Sequence, residues 1–123
     1  MTNGEIYTKI LNLSKAFSSE DRLPIKLNYY IQRNLAETAS IISAIETNRM
    51  KIGEKYGEQT QDGYQIPPEK AQEANKELTE LMEIDQPINL LKIKFSDIPQ
   101  DLVLTTNQME ALMFIIEDEE KED

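Results

Sequence analysis

The chain predicts an α+β fold, mostly helical: a long antiparallel helical hairpin with a small antiparallel β element and a C-terminal helix. Three observations carry that prediction. Residues 23–56 hold a run in which Ile31, Leu35, Thr38, Ile42, Ile45, Arg49, Ile52 and Tyr56 alternate at four and three residues. This is the spacing of a seam that faces another helix. Asp62-Gly63 then supplies a dipeptide suited to a tight hairpin turn. Past Pro67-Pro68, the residues Ala71, Ala74, Leu78 and Leu81 repeat the seam spacing, which makes the second arm of a helical hairpin.

Each element has its own reason. A first helix is expected over 4–17, with Thr2 and Asn3 as candidate caps and Ile6, Ile10, Leu13 and Phe17 recurring at helical spacing. Residues 18–21 break it. Leu23 sits where a hydrophobic staple fixes the entry of the long helix, and Pro24 is tolerated in a first turn, where its missing N–H has no helical partner. Gly57 is expected to stop the helix in a left-handed cap. Such a helix spans ~50 Å, whereas a chain of this size folds to about 30 Å across. It must therefore protrude or meet another copy. Ile41, with Tyr30, Leu27 and Ala44 nearby, widens its apolar stripe enough for more than one neighbour.

Beyond the long helix, residues 59–60 and 64–66 are expected to pair as a short flap around Asp62-Gly63, and residues 67–83 to form the third helix. Residues 88–95 alternate as a strand, with 102–104 as a second one. Thr105 or Thr106 caps a final helix carrying Met109, Leu112, Met113 and Ile116, which runs into acids that the helix dipole disfavours at a C-terminus. One domain over 1–116 and an acidic tail over 117–123 follow.

Composition removes whole classes of chemistry. The 123 residues include no cysteine, hence no disulfide, thiolate nucleophile or zinc-thiolate site, and no histidine, the commonest general base and transition-metal ligand. Net charge is −10, and the six acids and one lysine of 117–123 carry half of it. Direct nucleic-acid binding is not expected, because phosphate wants clustered Lys and Arg. No stretch approaches the apolar length of a membrane span and no apolar run follows a basic opening, so a host cytoplasmic location without membrane association is expected.

Candidate sites are few. Glu69, Glu73, Glu77, Glu80 and Glu83 stand three and four apart on one helix, but di-iron helices pair Glu with His, so these acids read as a solvated face with no metal. The acids at 117–120 lack the spaced loop of a calcium site. Gly53, Gly57 and Gly63 form no phosphate loop, and no serine has elbow glycines. No cofactor and no catalytic residue are expected. Tyr29, Tyr30, Arg33 and Asn34, on one helical turn, are a possible ligand-binding group, since aromatic faces beside a guanidinium stack a base or nucleotide. The competing reading packs one Tyr against the first helix and leaves Arg33 and Asn34 in water. Arg49 has two readings as well. It pairs Glu73, Glu77 or an acid of a second copy, or the seam turns outward there and Met50 and Ile52 pack instead.

The order of several pieces resembles a family of small proteins encoded by tailed phages and prophages, mostly of Gram-positive bacteria. They are Leu-Pro-Ile-Lys at 23–26, Glu-Lys-Tyr-Gly at 54–57, Asp-Gly-Tyr-Gln-Ile at 62–66, Asn-Lys-Glu-Leu-Thr-Glu-Leu at 75–81 and Leu-Thr-Thr-Asn-Gln-Met-Glu-Ala-Leu at 104–112. Together they span nearly the whole chain. That family has no assigned activity, so the resemblance implies a phage origin and no mechanism. The expectation is a non-catalytic phage interaction or assembly protein that binds itself, or another phage or host protein. Its interface is expected at Leu27, Ile31, Leu35, Thr38 and Ile42, which the third helix is too short to cover and which are left to the first helix or to another copy. A counter-defence protein is the alternative. It would sequester a nucleotide at Tyr29, Tyr30 and Arg33, or block a basic host nuclease with its acidic surface. A virion component uses the same helical surfaces.

Overall fold

The computed structural model describes residues 1–18 and 21–117. Its elements in chain order are α1 (Asn3–Ala16), α2 (Ile25–Tyr56), β1 (Glu58–Thr60), β2 (Gly63–Gln65), α3 (Ala71–Met82), β3 (Ile93–Lys94), α4 (Thr106–Leu112) and β4 (Ile116–Glu117). The mostly helical α+β class is therefore the observed one. Among the described residues no helix is long and apolar enough to cross a membrane. All of the expected acidic tail except Glu117, and Ser19-Glu20 in the expected break, lie outside the described residues. The chain divides into two compact units: Met1–Tyr7 with Ala39–Pro87, and Thr8–Thr38 with the chain from Ile88 onward.

The first unit is built on the C-terminal part of α2. Gly57 ends that helix, but without the expected left-handed conformation, since Gly63 alone among the described residues has a positive φ, at 120°. Gly57 is needed for space. A Cβ there would fall 2.5 Å from the Gly53 carbonyl oxygen and 3.1 Å from Tyr64 Cβ, so the returning strand could not lie so close. β1 and β2 pair antiparallel with Glu58 opposite Gln65 and Thr60 opposite Gly63. The turn residues are thus Gln61-Asp62, and Gly63 takes the positive φ just after them, as in hairpins that close with a glycine bulge. Pro68–Lys70 forms a 3₁₀ turn that starts α3.

α3 returns along α2. Ala74 is buried, and Lys55 Nζ meets Glu77 Oε1 at 2.8 Å near the turn. The N-terminal tip of α1 belongs to the same unit. Thr2 and Glu5 form a reciprocal capping box: Glu5 N donates to Thr2 Oγ1 at 3.2 Å and Thr2 N to Glu5 Oε1 at 3.0 Å. Asn3, the other candidate cap, works at a different helix end. Its Nδ2 donates to the Leu81 carbonyl at 2.9 Å, an oxygen at the end of α3 that the backbone N–H of Ile84 reaches only at 3.4 Å.

The second unit holds an aliphatic core of Leu13 from α1, Leu27 and Ile31 from α2, Ile93 from β3, and Ala111, Leu112 and Ile115 from the C-terminal segment. Phe17, Leu23, Leu35, Leu90, Leu102 and Leu104 pack around it. Thr105 is the cap of α4, in a capping box with Gln108, whose Nε2 also donates to the Ala16 carbonyl at 3.1 Å. The final helix is shorter than expected. α4 stops at Leu112, a 3₁₀ turn over Met113–Ile115 points Ile115 into the core and leaves Met113 exposed, and β4 follows.

The strand expected over 88–95 is reduced to β3, and 102–104 forms none. β3 instead pairs in parallel with β4, Ile93 opposite Ile116. Asn34 explains the loss. Its Oδ1 accepts from Leu91 N at 2.8 Å and its Nδ2 donates to Leu91 O at 2.9 Å. A side-chain amide thus pairs both backbone groups that a neighbouring strand would have used.

Candidate functional site

The residues expected to form an interface are largely internal. Leu27, Ile31 and Thr38 are at most 1 % exposed, all covered by this chain itself, and Leu35 packs against the same core. Ile42 is half-buried. The expectation of a free surface over Leu27–Leu35–Thr38 is therefore corrected: the segment after Ile88 covers what α3 is too short to reach. Thr38 fits this dry environment because its hydroxyl donates to the Asn34 carbonyl at 2.9 Å.

The possible ligand-binding group does not converge. Asn34 is 1 % exposed, and its second Nδ2 hydrogen bond goes to the Tyr30 carbonyl at 3.0 Å, so neither its donors nor its acceptor face a ligand. Tyr30 packs on the core, with Tyr29 edge-on to it at 6.3 Å between ring centres. Arg33 pairs Glu37 at 3.0 Å. Arg33 and Asn34 do line a cavity of about 220 Å³ with Glu37 and residues 89–91, but neither tyrosine reaches it.

Arg49 turns outward from the seam. Its Nη1 donates to the Tyr7 hydroxyl at 2.6 Å and its guanidinium lies 5.2 Å from the Tyr7 ring centre, while Tyr7 donates to Glu46 at 2.5 Å. That bond to Glu46 raises the phenol above its ordinary value, with burial adding to it and Arg49 opposing. Neither Glu73 nor Glu77 is its partner: Glu77 pairs Lys55.

A groove between α2 and α3 is the arrangement that sequence reasoning missed. α2 contributes Asn48, Lys51, Ile52 and Lys55, and the other wall holds Glu77, Glu80, Leu81 and Ile84, around about 470 Å³ of open space. Both walls follow the i, i+3, i+4, i+7 spacing of one helical face. This shared spacing is the signal that was available in the sequence. Asn48, Leu81 and Ile84 also line a second cavity of about 330 Å³, which carries the groove along α2 past Ala44 to Ile41. Its floor is apolar (Ile41, Ala44, Ile52, Leu81), and Ile84 is 49 % exposed beside it.

The rim is polarised, with Lys51 and Lys55 on the α2 side and Glu77 and Glu80 on the α3 side. The Lys55–Glu77 pair spans it. Their hydrogen bond holds the Lys55 ammonium above, and the Glu77 carboxyl below, its ordinary range, and the Tyr56 ring lies 5.1 Å from the ammonium. Glu77 Oε2 is buried and has no hydrogen-bond partner among the described residues. Lys51 and Glu80 make no ion pair among the described residues. No group of three or more metal-ligating side chains occurs among the described residues. Comparison with protein-family models, with curated proteins and with solved structures finds no match to this chain.

Proposed function

We propose that this chain is a non-catalytic interaction protein of a tailed phage, and that it acts by self-association through its long helix. The observation that carries the reading is the groove between α2 and α3, where an apolar floor lies open to a partner beside Lys51 and Glu80, neither of them ion-paired among the described residues. The phage origin rests on the ordered sequence pieces alone.

Native mass spectrometry of the full chain, from low to high micromolar concentration, tests this. A symmetric oligomer is the expected species. A chain that stays monomeric throughout that range sinks the proposal.

A further inference from the structure

From the polarity of the groove we infer that its occupant is a second copy of this chain, docked groove to groove about a two-fold axis that runs along the groove. This rests on the self-association proposed above and adds the surface, the symmetry and the residues that set them. Two copies of a helical pair meeting face to face have two ways to do so with a two-fold axis in the contact plane. With the axis across the helices, each helix faces its own counterpart. Lys51 and Lys55 then oppose the same lysines, and Glu77 and Glu80 the same acids. Apposed like charges are costly once water is excluded.

With the axis along the groove, α2 of one copy lies over α3 of the other. This rotation leaves every residue at its original height along the axis. Within one chain Lys55 stands level with Glu77, as their 2.8 Å contact shows. One helical turn further along, antiparallel progression brings Lys51 level with Glu80. The same heights therefore recur between copies: Lys55 meets the other copy's acid at 77, and Lys51 finds the acid at 80, neither of them ion-paired among the described residues. Both charges gain an opposite neighbour, and the floor of Ile52, Leu81 and the half-exposed Ile84 is covered by its own image. The result is a four-helix arrangement in which every neighbour is antiparallel, the packing that such bundles favour.

Sedimentation equilibrium of the full chain at matched concentrations is the test. It uses the wild type, Lys51→Glu/Lys55→Glu, Glu77→Lys/Glu80→Lys, and an equimolar mixture of the two variants. Each variant makes its groove rim uniformly charged, so each is expected to dimerise at least tenfold more weakly than wild type. The mixture is expected to recover a heterodimer, although neither chain regains its internal Lys55–Glu77 pair. That separates pairing between copies from pairing within one. Ile84→Glu, at an exposed position, is expected to weaken the dimer without unfolding the chain. If both charge variants dimerise like wild type, or the mixture stays monomeric while wild type dimerises, the groove-to-groove geometry is overturned and self-association survives. A wild-type chain that is monomeric at high micromolar concentration overturns both.

Discussion

One helix presents the same 4-3 spacing to two different fates. Over 27–38, α2 is sealed: Leu27, Ile31, Asn34 and Thr38 are at most 1 % exposed, and the only polar groups among them are fully hydrogen-bonded. Over 48–55, α2 lines an open groove with charged rims. The difference lies in what returns to each stretch. The chain from Ile88 onward brings Leu90, Ile93, Leu112 and Ile115 to the first, whereas α3 lays a row of acids beside the second. A hydrophobic seam thus states that a helix face must be covered. Which cover it receives is decided elsewhere in the chain.

The contrast is broken most severely at Ile31. Placing a charge there, as in Ile31→Asp, is expected to destabilise the second unit by about 4 kcal/mol or more, because a buried carboxylate has no partner in an aliphatic core. Urea denaturation followed by circular dichroism measures this. A variant that stays folded at wild-type stability while losing self-association would return Ile31 to the interface and erase the distinction between the two stretches.

Asn34→Leu comes next. It keeps the volume but leaves Leu91 N–H and C=O without their shared partner, at an expected cost of roughly 2–4 kcal/mol. Amide hydrogen exchange at Leu91 is expected to quicken beyond what the global loss explains. Unchanged protection at Leu91 would show that the amide clamp is not what replaces the missing strand.

Ile84→Glu sharpens the comparison from the open side. At a half-exposed position the expected change in monomer stability is within about 0.5 kcal/mol. A loss of several kcal/mol in the same urea titration would mean that the groove is as closed as the first stretch.

The two stretches were also unequally legible in the sequence. The capping signals at Thr2 and Thr105 and the seam found their elements, and the hairpin expected at Asp62-Gly63 formed with its turn one residue earlier, because each depends on neighbours within a turn or two. Strand 88–95 misled because its alternation is real, yet Leu91 is paired by a side chain 57 residues away, which no local pattern reports. Asn34 misled for the same reason: a polar residue beside Tyr29, Tyr30 and Arg33 suggests a ligand until its three hydrogen bonds are counted. The groove was missed because its glutamates read as a solvated row. Its meaning appears only when they stand across from Lys51 and Lys55.

The smallest effect expected is a pH dependence in which the two regions differ in sign. Lys92 donates to the Phe114 carbonyl at 2.5 Å, and burial, with Lys9 nearby, lowers its pKa below the ordinary 10.5. The folded state then binds fewer protons at Lys92 than the unfolded chain does, so this residue makes stability rise with pH from its lowered value up to 10.5. Lys55 is shifted upward by Glu77, so its contribution is complete below 10.5 and is lost as pH climbs through the raised value. Urea midpoints measured from pH 8 to 11 in Lys92→Met and Lys55→Met separate them. The first variant should lose the component that rises below 10.5, and the second the component that falls above it. If both variants change the profile in the same direction, burial beside Lys9 does not depress Lys92, and the contrast with Lys55, held up by the Glu77 carboxylate, is lost.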